Sequence, residues 1–136
     1  MSLGLTVVNG VVIEAAESVA KEATEWASDT GGTVLNAGSG ERFQSVVIQV
    51  SVTFHASAVG DCVVHLRKSA DGATTENTTG TYAMTIPITA DSTIIKTIDV
   101  YDFDYLDVGL ENEDADYAAT WSAKYEGIKL TGMATS

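Results

Sequence analysis

The sequence predicts a mainly β protein, an antiparallel β-sandwich or jelly roll with an N-terminal arm or short helix. Several short segments alternate apolar and polar residues, which is the period of a half-buried strand. These segments are rich in β-branched residues, and turn-forming residues separate them about every ten residues. Such spacing is typical of sandwiches and jelly rolls. The chain has 136 residues and is 45% hydrophobic, so we expect one core, with an arm over residues 1–30 and a sandwich over residues 31–136.

The N-terminal segment is predicted in two parts. Residues 5–16 have an extended pattern and contain Asn9-Gly10, a signal for a two-residue hairpin turn. Residues 17–27 are ambiguous, because a helical stripe and a strand alternation both fit them. The helical stripe consists of Val19, Ala20, Ala23, Trp26 and Ala27. We expect a short helix or an irregular arm here and leave the strand alternative open.

The clearest strand covers residues 45–55. Every second position is apolar and is predicted to face the core, namely Val46, Ile48, Val50, Val52 and Phe54. Gly60-Asp61 is a turn signal, and residues 62–67 form a second alternating segment. We expect these two strands to pair as a hairpin across residues 56–61.

Further strands follow in the second half of the chain. They are predicted near residues 82–88, 94–101, 105–111 and 117–125. Pro87 has no N–H to donate, so the first of these strands lies at an edge or ends there. The third is expected to turn its leucine and valine side chains inward and Asp107 outward.

The charge balance limits the partners. Seven basic and nineteen acidic residues give a formal net charge of −12. A surface of this sign repels phosphate backbones and anionic lipid headgroups, so we expect no nucleic-acid partner and no membrane partner. The lone cysteine, Cys62, has no internal disulfide partner, which indicates a reducing compartment. Residues 1–12 lack the pattern of a signal peptide, and no apolar run has the length of a membrane span.

An acidic segment is the main candidate for a metal site. Its carboxylates at Glu111, Glu113, Asp114 and Asp116 could supply oxygen ligands to a hard cation such as Ca²⁺. The spacing does not match the EF-hand loop. Runs of acidic residues are usually solvated surface, and we favour that interpretation, so we predict no metal and no cofactor.

Two histidines and a line of aromatic residues raise other hypotheses. His55 and His65 fall on the two strands of the predicted hairpin and could meet across it, but no third metal ligand is evident nearby. The residues Tyr117, Trp121 and Tyr125 share one face of a strand. They could stack against sugars or pack in the core, and we favour the core.

No catalytic motif is recognisable in the sequence. It has no Gly-x-Ser-x-Gly nucleophile elbow and no phosphate-binding glycine loop. Cys62 is predicted to face inward, where a thiol is not activated as a nucleophile. We therefore predict that the chain is not an enzyme and has no catalytic residues.

Three stretches resemble a known group of proteins. They are residues 45–52, a strand; residues 60–72, in which Gly-Asp precedes a strand that ends in Ser-Ala-Asp-Gly; and residues 105–114, a Tyr-Leu-Asp-Val strand followed by an Asn-Glu-Asp loop. In this order they resemble head decoration and related jelly-roll structural proteins of tailed bacteriophages, over residues 45–126. The resemblance implies a non-enzymatic subunit, often a trimer, that cements or decorates a capsid.

The resemblance also implies partners and a location. The partners would be the major capsid protein or other virion subunits, with the chain as a homotrimer, and the location would be the virion after assembly in the host cytoplasm. The N-terminal segment is then a candidate arm that adds to the edge of a neighbouring sheet, through Leu5, Val7, Val8, Val11 and Ile13. The alternative function is a carbohydrate-binding module or virion-borne adhesin that uses the aromatic line. Whether a head or a tail carries the protein is left open.

Overall fold

A computed structural model describes residues 4–36, 42–69, 81–103 and 105–131. Within them, nine strands form two antiparallel sheets that pack as a β-sandwich, which confirms the predicted mainly β fold. Sheet A has the order β1 (Gly4–Val19), β9 (Ala119–Thr131), β4 (Arg42–Thr53) and β7 (Thr93–Phe103). Sheet B has the order β2 (Thr24–Trp26), β8 (Tyr105–Asn112), β5 (Cys62–Ser69) and β6 (Thr81–Ile86), and β3 (Leu35–Asn36) also pairs with β8.

The order of the strands is that of a jelly roll. Apart from the connections β2–β3 and β5–β6, each connection carries the chain from one sheet to the other. Neighbours within a sheet are therefore mostly distant in sequence, as β1 and β9 are. The predicted division into residues 1–30 and 31–136 stays a prediction, and both outer ends, residues 1–3 and 132–136, lie outside the described residues.

The predicted hairpin across residues 56–61 is wrong. β4 pairs with β7 and β9 in sheet A, whereas β5 pairs with β6 and β8 in sheet B. The connection between them crosses the end of the sandwich, where it buries Phe54 and Ala58. Burial of these side chains favours a crossing over a tight turn, because a two-stranded hairpin would leave them in solvent.

Residues 17–27 contain no α-helix, so the expected short helix is also wrong. They form the end of β1, a turn, and β2, and a short 3-10 helix follows from Ala27 to Asp29. Glu22 takes a left-handed backbone conformation in the turn, with φ of 55°. The backbone N–H of Asn112 donates to the carbonyl of Ala23 (2.8 Å), so pairing with a distant strand replaces local helical bonds.

The predicted turn at Asn9-Gly10 is a bulge inside one continuous strand. Val8 lies opposite Gly127 and Val11 lies opposite Tyr125, so β1 contains one residue more than β9 at this point. Gly10 has φ of +59°, which suits either a tight turn or a bulge. Two further register shifts follow in β1, on either side of Glu14.

The core lies between the two sheets and follows the predicted alternation. The inward positions of β4 and β8 are 1% exposed or less: Val46, Ile48, Val50, Val52, Leu106, Val108 and Leu110. β8 is buried on its other face as well, since Asp107 is only 1% exposed although it was predicted to face outward. Something other than the sandwich core must therefore cover the outer face of sheet B.

Candidate interaction surfaces

The outer face of sheet A carries most of the exposed apolar side chains. Of the eight large hydrophobic residues that are exposed in the described part of the chain, six belong to this sheet: Leu5, Val7, Val12, Val47, Ile95 and Tyr101. They come from both edge strands and from β4. Exposed apolar side chains gathered on one face of a sheet indicate a contact with another molecule.

The strand register brings several of these residues together. Val7 lies opposite Ile128, Ile128 opposite Ser45, and Ser45 opposite Tyr101, so one row crosses all four strands. Val47 occupies the next row, between Glu126 and Asp99. Shallow depressions on this face are lined by Val7, Val47 and Ile128 among other residues. The surface is therefore apolar along one row and acidic along the next.

The five predicted arm residues divide between this face and the core. Leu5 and Val7 are about two-thirds exposed, at 65% and 66%. Val8 and Val11 are half-buried and pack against the core, and Ile13 is buried. In this structure the whole segment pairs with β9 of the same chain. Only Leu5 and Val7 are thus placed to contact a partner.

The outer face of sheet B is covered by Trp26, which the sequence analysis did not identify as a site residue. The indole ring lies on Gly109 of β8, so closely that a Cβ at position 109 would be 2.7 Å from ring atom Cε3. The Arg67 guanidinium carbon lies 4.1 Å from the centroid of the ring, within the range of a cation–π contact. Because Gly109 has no side chain, the Trp26 ring can lie directly on β8.

An ion pair between the half-buried Arg67 and the buried Asp107 adjoins this cover. Nη2 of Arg67 lies 2.9 Å from Oδ2 of Asp107, which also accepts a 2.6 Å hydrogen bond from the Ser28 hydroxyl. The backbone N–H of Ser28 donates to Oδ1 of the same carboxylate (3.2 Å). These partners are 40 and 79 residues apart in sequence, so no local pattern could reveal them. The cluster attaches the segment after β2 to sheet B.

The same segment is attached to β1 of sheet A through Glu14. This side chain is 3% exposed, and Oε2 accepts a 2.5 Å hydrogen bond from the Thr30 hydroxyl. Burial raises the pKa of the Glu14 carboxyl, the Thr30 bond opposes this, and the carboxylates of Glu17, Asp107 and Glu25 add to the rise. Glu14 is therefore an acid whose charge the folded chain disfavours.

The two histidines are not brought together. His65 lies on β5, where Nε2 is 2.9 Å from Oε1 of Glu111. His55 follows β4 and stacks on Tyr117, with ring centroids 4.1 Å apart. Each imidazole thus has its own partner, and the pairing that the hairpin would have produced does not occur.

The acidic candidates have separate roles. Both oxygens of Asp114 are used by backbone N–H groups: Oδ1 accepts from Asp116 (2.8 Å) and Tyr117 (2.9 Å), and Oδ2 from Val59 (2.6 Å) and Gly60 (2.8 Å). These bonds, that from Asp116 foremost, hold the pKa of Asp114 well below its ordinary value. The carboxylate thereby ties the β4–β5 crossing to the β8–β9 turn.

The other three carboxylates do not join Asp114. Glu111 bonds His65, while Glu113 and Asp116 are exposed. Among the residues that the structure describes, no three His, Cys, Asp or Glu side chains are grouped as metal ligands. A cation here would have to compete with four backbone donors for Asp114.

The aromatic line lies mostly inside the sandwich. Trp121 is 1% exposed, and Tyr125 is 9% exposed with Phe43 packed edge-on against it at 5.9 Å. Tyr117 is half-buried, and His55 stacks on its ring. Burial leaves the rings of Trp121 and Tyr125 without an open face for a sugar, in agreement with the favoured core interpretation.

Cys62 is buried in the core, as predicted. Its side chain is fully buried, and burial raises the pKa of the thiol to about 12. The acidic neighbours Asp61, Glu113 and Asp114 contribute to this rise in the pKa. At neutral pH the group is a thiol rather than the thiolate that nucleophilic catalysis needs.

Comparisons with known proteins bear on the fold. The sequence matches no family model and no curated protein. The structure is similar to a chain of the T=1 particles derived from infectious bursal virus, with a TM-score of 0.57 and 9% identity over 94% of this chain and 31% of that chain. The chain thus spans about a third of the length of the virus protein that it matches.

Two further similarities have TM-scores below 0.5. A chain of the empty particles of cowpea mosaic virus matches with a TM-score of 0.48 and 10% identity, over 97% of this chain and 87% of that one. A family 16 carbohydrate-binding module matches with a TM-score of 0.44 and 15% identity, over 89% and 84%. No helix in the described ranges has the length and apolar character of a membrane span. The similarity to the chain of the T=1 particles shows a shared fold, and the tailed-bacteriophage origin stays a prediction.

Proposed function

We propose that this chain is a non-enzymatic structural subunit of a virion that decorates or cements a capsid through protein–protein contacts. Its partners are the major capsid protein or other virion subunits, and the chain assembles in the host cytoplasm. The proposal includes a homotrimer, as the resemblance to bacteriophage proteins implies. The observation that carries the proposal is the jelly-roll fold, which this chain shares with a protein from a viral particle.

The outer face of sheet A supports contact with another protein. Its exposed apolar residues come from three strands of one rigid sheet, so they form a preorganised surface that loses little conformational entropy on binding. Tyr101 supplies the kind of exposed aromatic side chain that is enriched at protein interfaces. The negative net charge disfavours binding to a packaged genome.

The chemistry of the candidate catalytic groups supports a non-enzymatic role. The thiol of Cys62 is buried and protonated, and His55 and His65 each have an aromatic or acidic partner of their own. None of the three forms a nucleophile–base pair with another in the described part of the chain.

A capsid-binding assay tests the proposal. The full chain is mixed with purified capsids of the encoding virus that lack it, and the chain that sediments with them is quantified. The wild-type chain should sediment at a saturable stoichiometry. Val7→Asp, which places a charge in the apolar row of sheet A, should reduce the sedimented fraction by about tenfold or more, because a buried unpaired charge is costly.

The matched control is Tyr82→Asp, which adds the same charge at a residue of β6 that is equally exposed, at 61%. This variant should sediment like the wild-type chain. If neither the wild-type chain nor the control sediments with capsids, the virion role is wrong. If both variants lose binding equally, sheet A is not the contact surface.

The carbohydrate-binding alternative is less well supported by the positions of the aromatic residues. Only Tyr117 of the three is partly exposed, and His55 covers one side of its ring. A glycan array with the wild-type chain and Tyr117→Ala separates the two functions. Glycan binding that disappears in Tyr117→Ala, while the fold is kept, would favour the adhesin.

A further inference from the structure

The outer edge of β7 is an unusual feature of sheet A. β7 has eleven residues and pairs with β4 on one side. No strand in residues 4–36, 42–69, 81–103 or 105–131 pairs with its other side. From Thr93 to Tyr101 the pairing with β4 has no register shift. The backbone N–H and C=O groups on the free side therefore form a regular row that can pair with another strand.

The opposite edge of the same sheet is protected. β1 has three register shifts, and these bulges twist an edge away from a second strand. β7 has no such bulge over its first nine residues, no proline, and exposed apolar side chains at Ile95 (58%) and Tyr101 (61%). Lys96 is its one basic residue, and a regular edge without a bulge or a proline can pair with another strand.

We propose that β7 pairs antiparallel with β7 of a second copy of this chain, about a two-fold axis that passes between the two copies of Ile98. The two copies of sheet A then form one continuous eight-stranded sheet. A two-fold contact is self-complementary by necessity, since each residue meets the same partner in both directions. The sequence of β7 meets this requirement when the axis lies at Ile98.

Charge selects the register. Residues directly opposite one another in an antiparallel pair point to the same face, so allowed registers differ by steps of two. An axis at Asp99 would place the two copies of this carboxylate opposite each other, and an axis at Lys96 would do the same with two ammonium groups. Both arrangements are destabilised by like charge.

The register centred on Ile98 has complementary pairs instead. It places Ile95 opposite Tyr101 of the other copy, twice, which is the favourable pairing of a β-branched and an aromatic residue. It also places Thr97 opposite Asp99, a hydroxyl donor facing a carboxylate. Ile98 is the middle residue of the strand, so this register pairs its full length. An axis at Thr97 would shorten the overlap and place Ile95 opposite Asp99.

The proposal does not depend on the virion role, because it concerns contact between copies of this chain alone. A trimer has no two-fold axis and would need another contact. The β7 pairing then predicts an even number of chains, either a dimer or two joined trimers. A chain that stays monomeric would therefore overturn the β7 pairing without affecting the virion role. A chain that does not bind capsids would overturn the virion role without affecting the pairing.

Introducing a charge of either sign at Thr97 tests the register. Thr97→Asp places a second carboxylate opposite Asp99 at two symmetric points. Each like-charge contact weakens pairing by up to about fivefold, so the dimer dissociation constant should rise about tenfold or more. Thr97→Lys should lower the same constant. Sedimentation equilibrium over a range of protein concentrations measures both.

The matched control is Thr120→Asp, which adds the same charge on β9, away from the edge, at another exposed threonine of sheet A. It should leave the dissociation constant unchanged. A wild-type chain that is monomeric at every concentration overturns the proposal. So does an equal effect of Thr97→Asp and Thr120→Asp, which would indicate general charge repulsion.

Disulfide trapping tests the geometry directly. Opposed residues in an antiparallel pair have Cα atoms about 4.5–5.5 Å apart, within the range of a disulfide. A mixture of Ile95→Cys and Tyr101→Cys chains should form a covalent heterodimer on mild oxidation, whereas neither variant alone should. Cys62 is buried and does not interfere. Crosslinking of each variant alone to the same extent as the mixture would contradict the register.

Discussion

The outer faces of the two sheets differ in what covers them. On sheet B, Trp26 lies over Gly109, Arg67 lies over Trp26, and the buried Asp107 binds Arg67 and Ser28. On sheet A, no comparable cover is found in the described residues, and the apolar side chains are exposed. One face contributes to the stability of the chain, and the other is free to bind.

Because of this difference, sheet B should determine the stability of the fold and sheet A the contacts with other molecules. A substitution on sheet B should alter the free energy of unfolding, because its side chains are packed and hydrogen-bonded within the chain. A substitution on the exposed face of sheet A should alter contacts with other molecules and leave folding nearly unchanged.

Trp26→Ala should have the largest effect, a loss of about 3–5 kcal/mol in the free energy of unfolding. The indole ring is 9% exposed, and its removal uncovers β8 and takes away the contact of Arg67. Denaturant unfolding measures the loss. Trp26→Phe, the control, should retain part of the cover and lose less. A loss below 1 kcal/mol for Trp26→Ala would mean that the cover has little structural role.

Gly109→Ala should cost about 1–3 kcal/mol, because its Cβ would lie 2.7 Å from the Trp26 ring and would force the ring away. The cost should be smaller in a chain that already carries Trp26→Ala, since the obstructing ring is gone. A double-mutant cycle of the two substitutions measures this coupling. Additive losses would show that the ring and the glycine do not depend on each other.

Glu14→Gln should stabilise the chain at neutral pH. The pKa of Glu14 is raised in the folded chain, chiefly by burial, so its protonated form contributes stability below about pH 4.5 that is lost as pH rises through the raised pKa. Glutamine is neutral throughout and can still accept the Thr30 hydrogen bond. The Tm of the variant should exceed that of the wild-type chain at pH 7, and the difference should shrink as pH falls.

The control for this experiment is Glu17→Gln, which removes a neighbouring negative charge from β1 and retains the Glu14 carboxyl. Its gain in Tm should be smaller than that of Glu14→Gln. A Tm difference between Glu14→Gln and the wild-type chain that is independent of pH would contradict the buried-charge explanation.

Val7→Ser should have the smallest effect on stability, within about 0.5 kcal/mol, because the side chain is 66% exposed. The neighbouring Val8 points inward and packs against the core. Val8→Ser should therefore lose about 1 kcal/mol more than Val7→Ser. Thermal unfolding of both variants measures the two faces of one strand. Equal losses would show that the exposed row of sheet A is also structural.

Alternation along the sequence predicted most strands and their inward faces. β4 is the clearest case, since its buried residues from Val46 to Val52 are those at every second predicted position. The pairing of β4 with β5 was mispredicted because a turn signal is local, whereas β4 finds its partners in β7 and β9. Gly10 was misread for a related reason, because a positive φ occurs in both turns and bulges.

The candidate surfaces were only partly predictable. Leu5 and Val7 are exposed as an interface requires. The same pattern included Ile13, which lies in the core because the register shift between Val8 and Val11 exchanges the two faces of β1. Trp26 fitted a helical stripe, and nothing near it in sequence indicated Gly109, Arg67 or Asp107. Contacts between residues dozens of positions apart depend on topology, which alternation does not determine.

The position of β9 in the middle of sheet A has a consequence for synthesis. β9 separates β1 from β4, so β1 has no strand partner in sheet A until residues 119–131 are made, whereas β4 can already pair with β7. At ribosomal rates of about 5–20 residues per second, β1 remains without its neighbour for about 10 s after it is made. During that interval its apolar residues are exposed to other nascent chains, so we expect chaperones to be needed most before the last strand emerges.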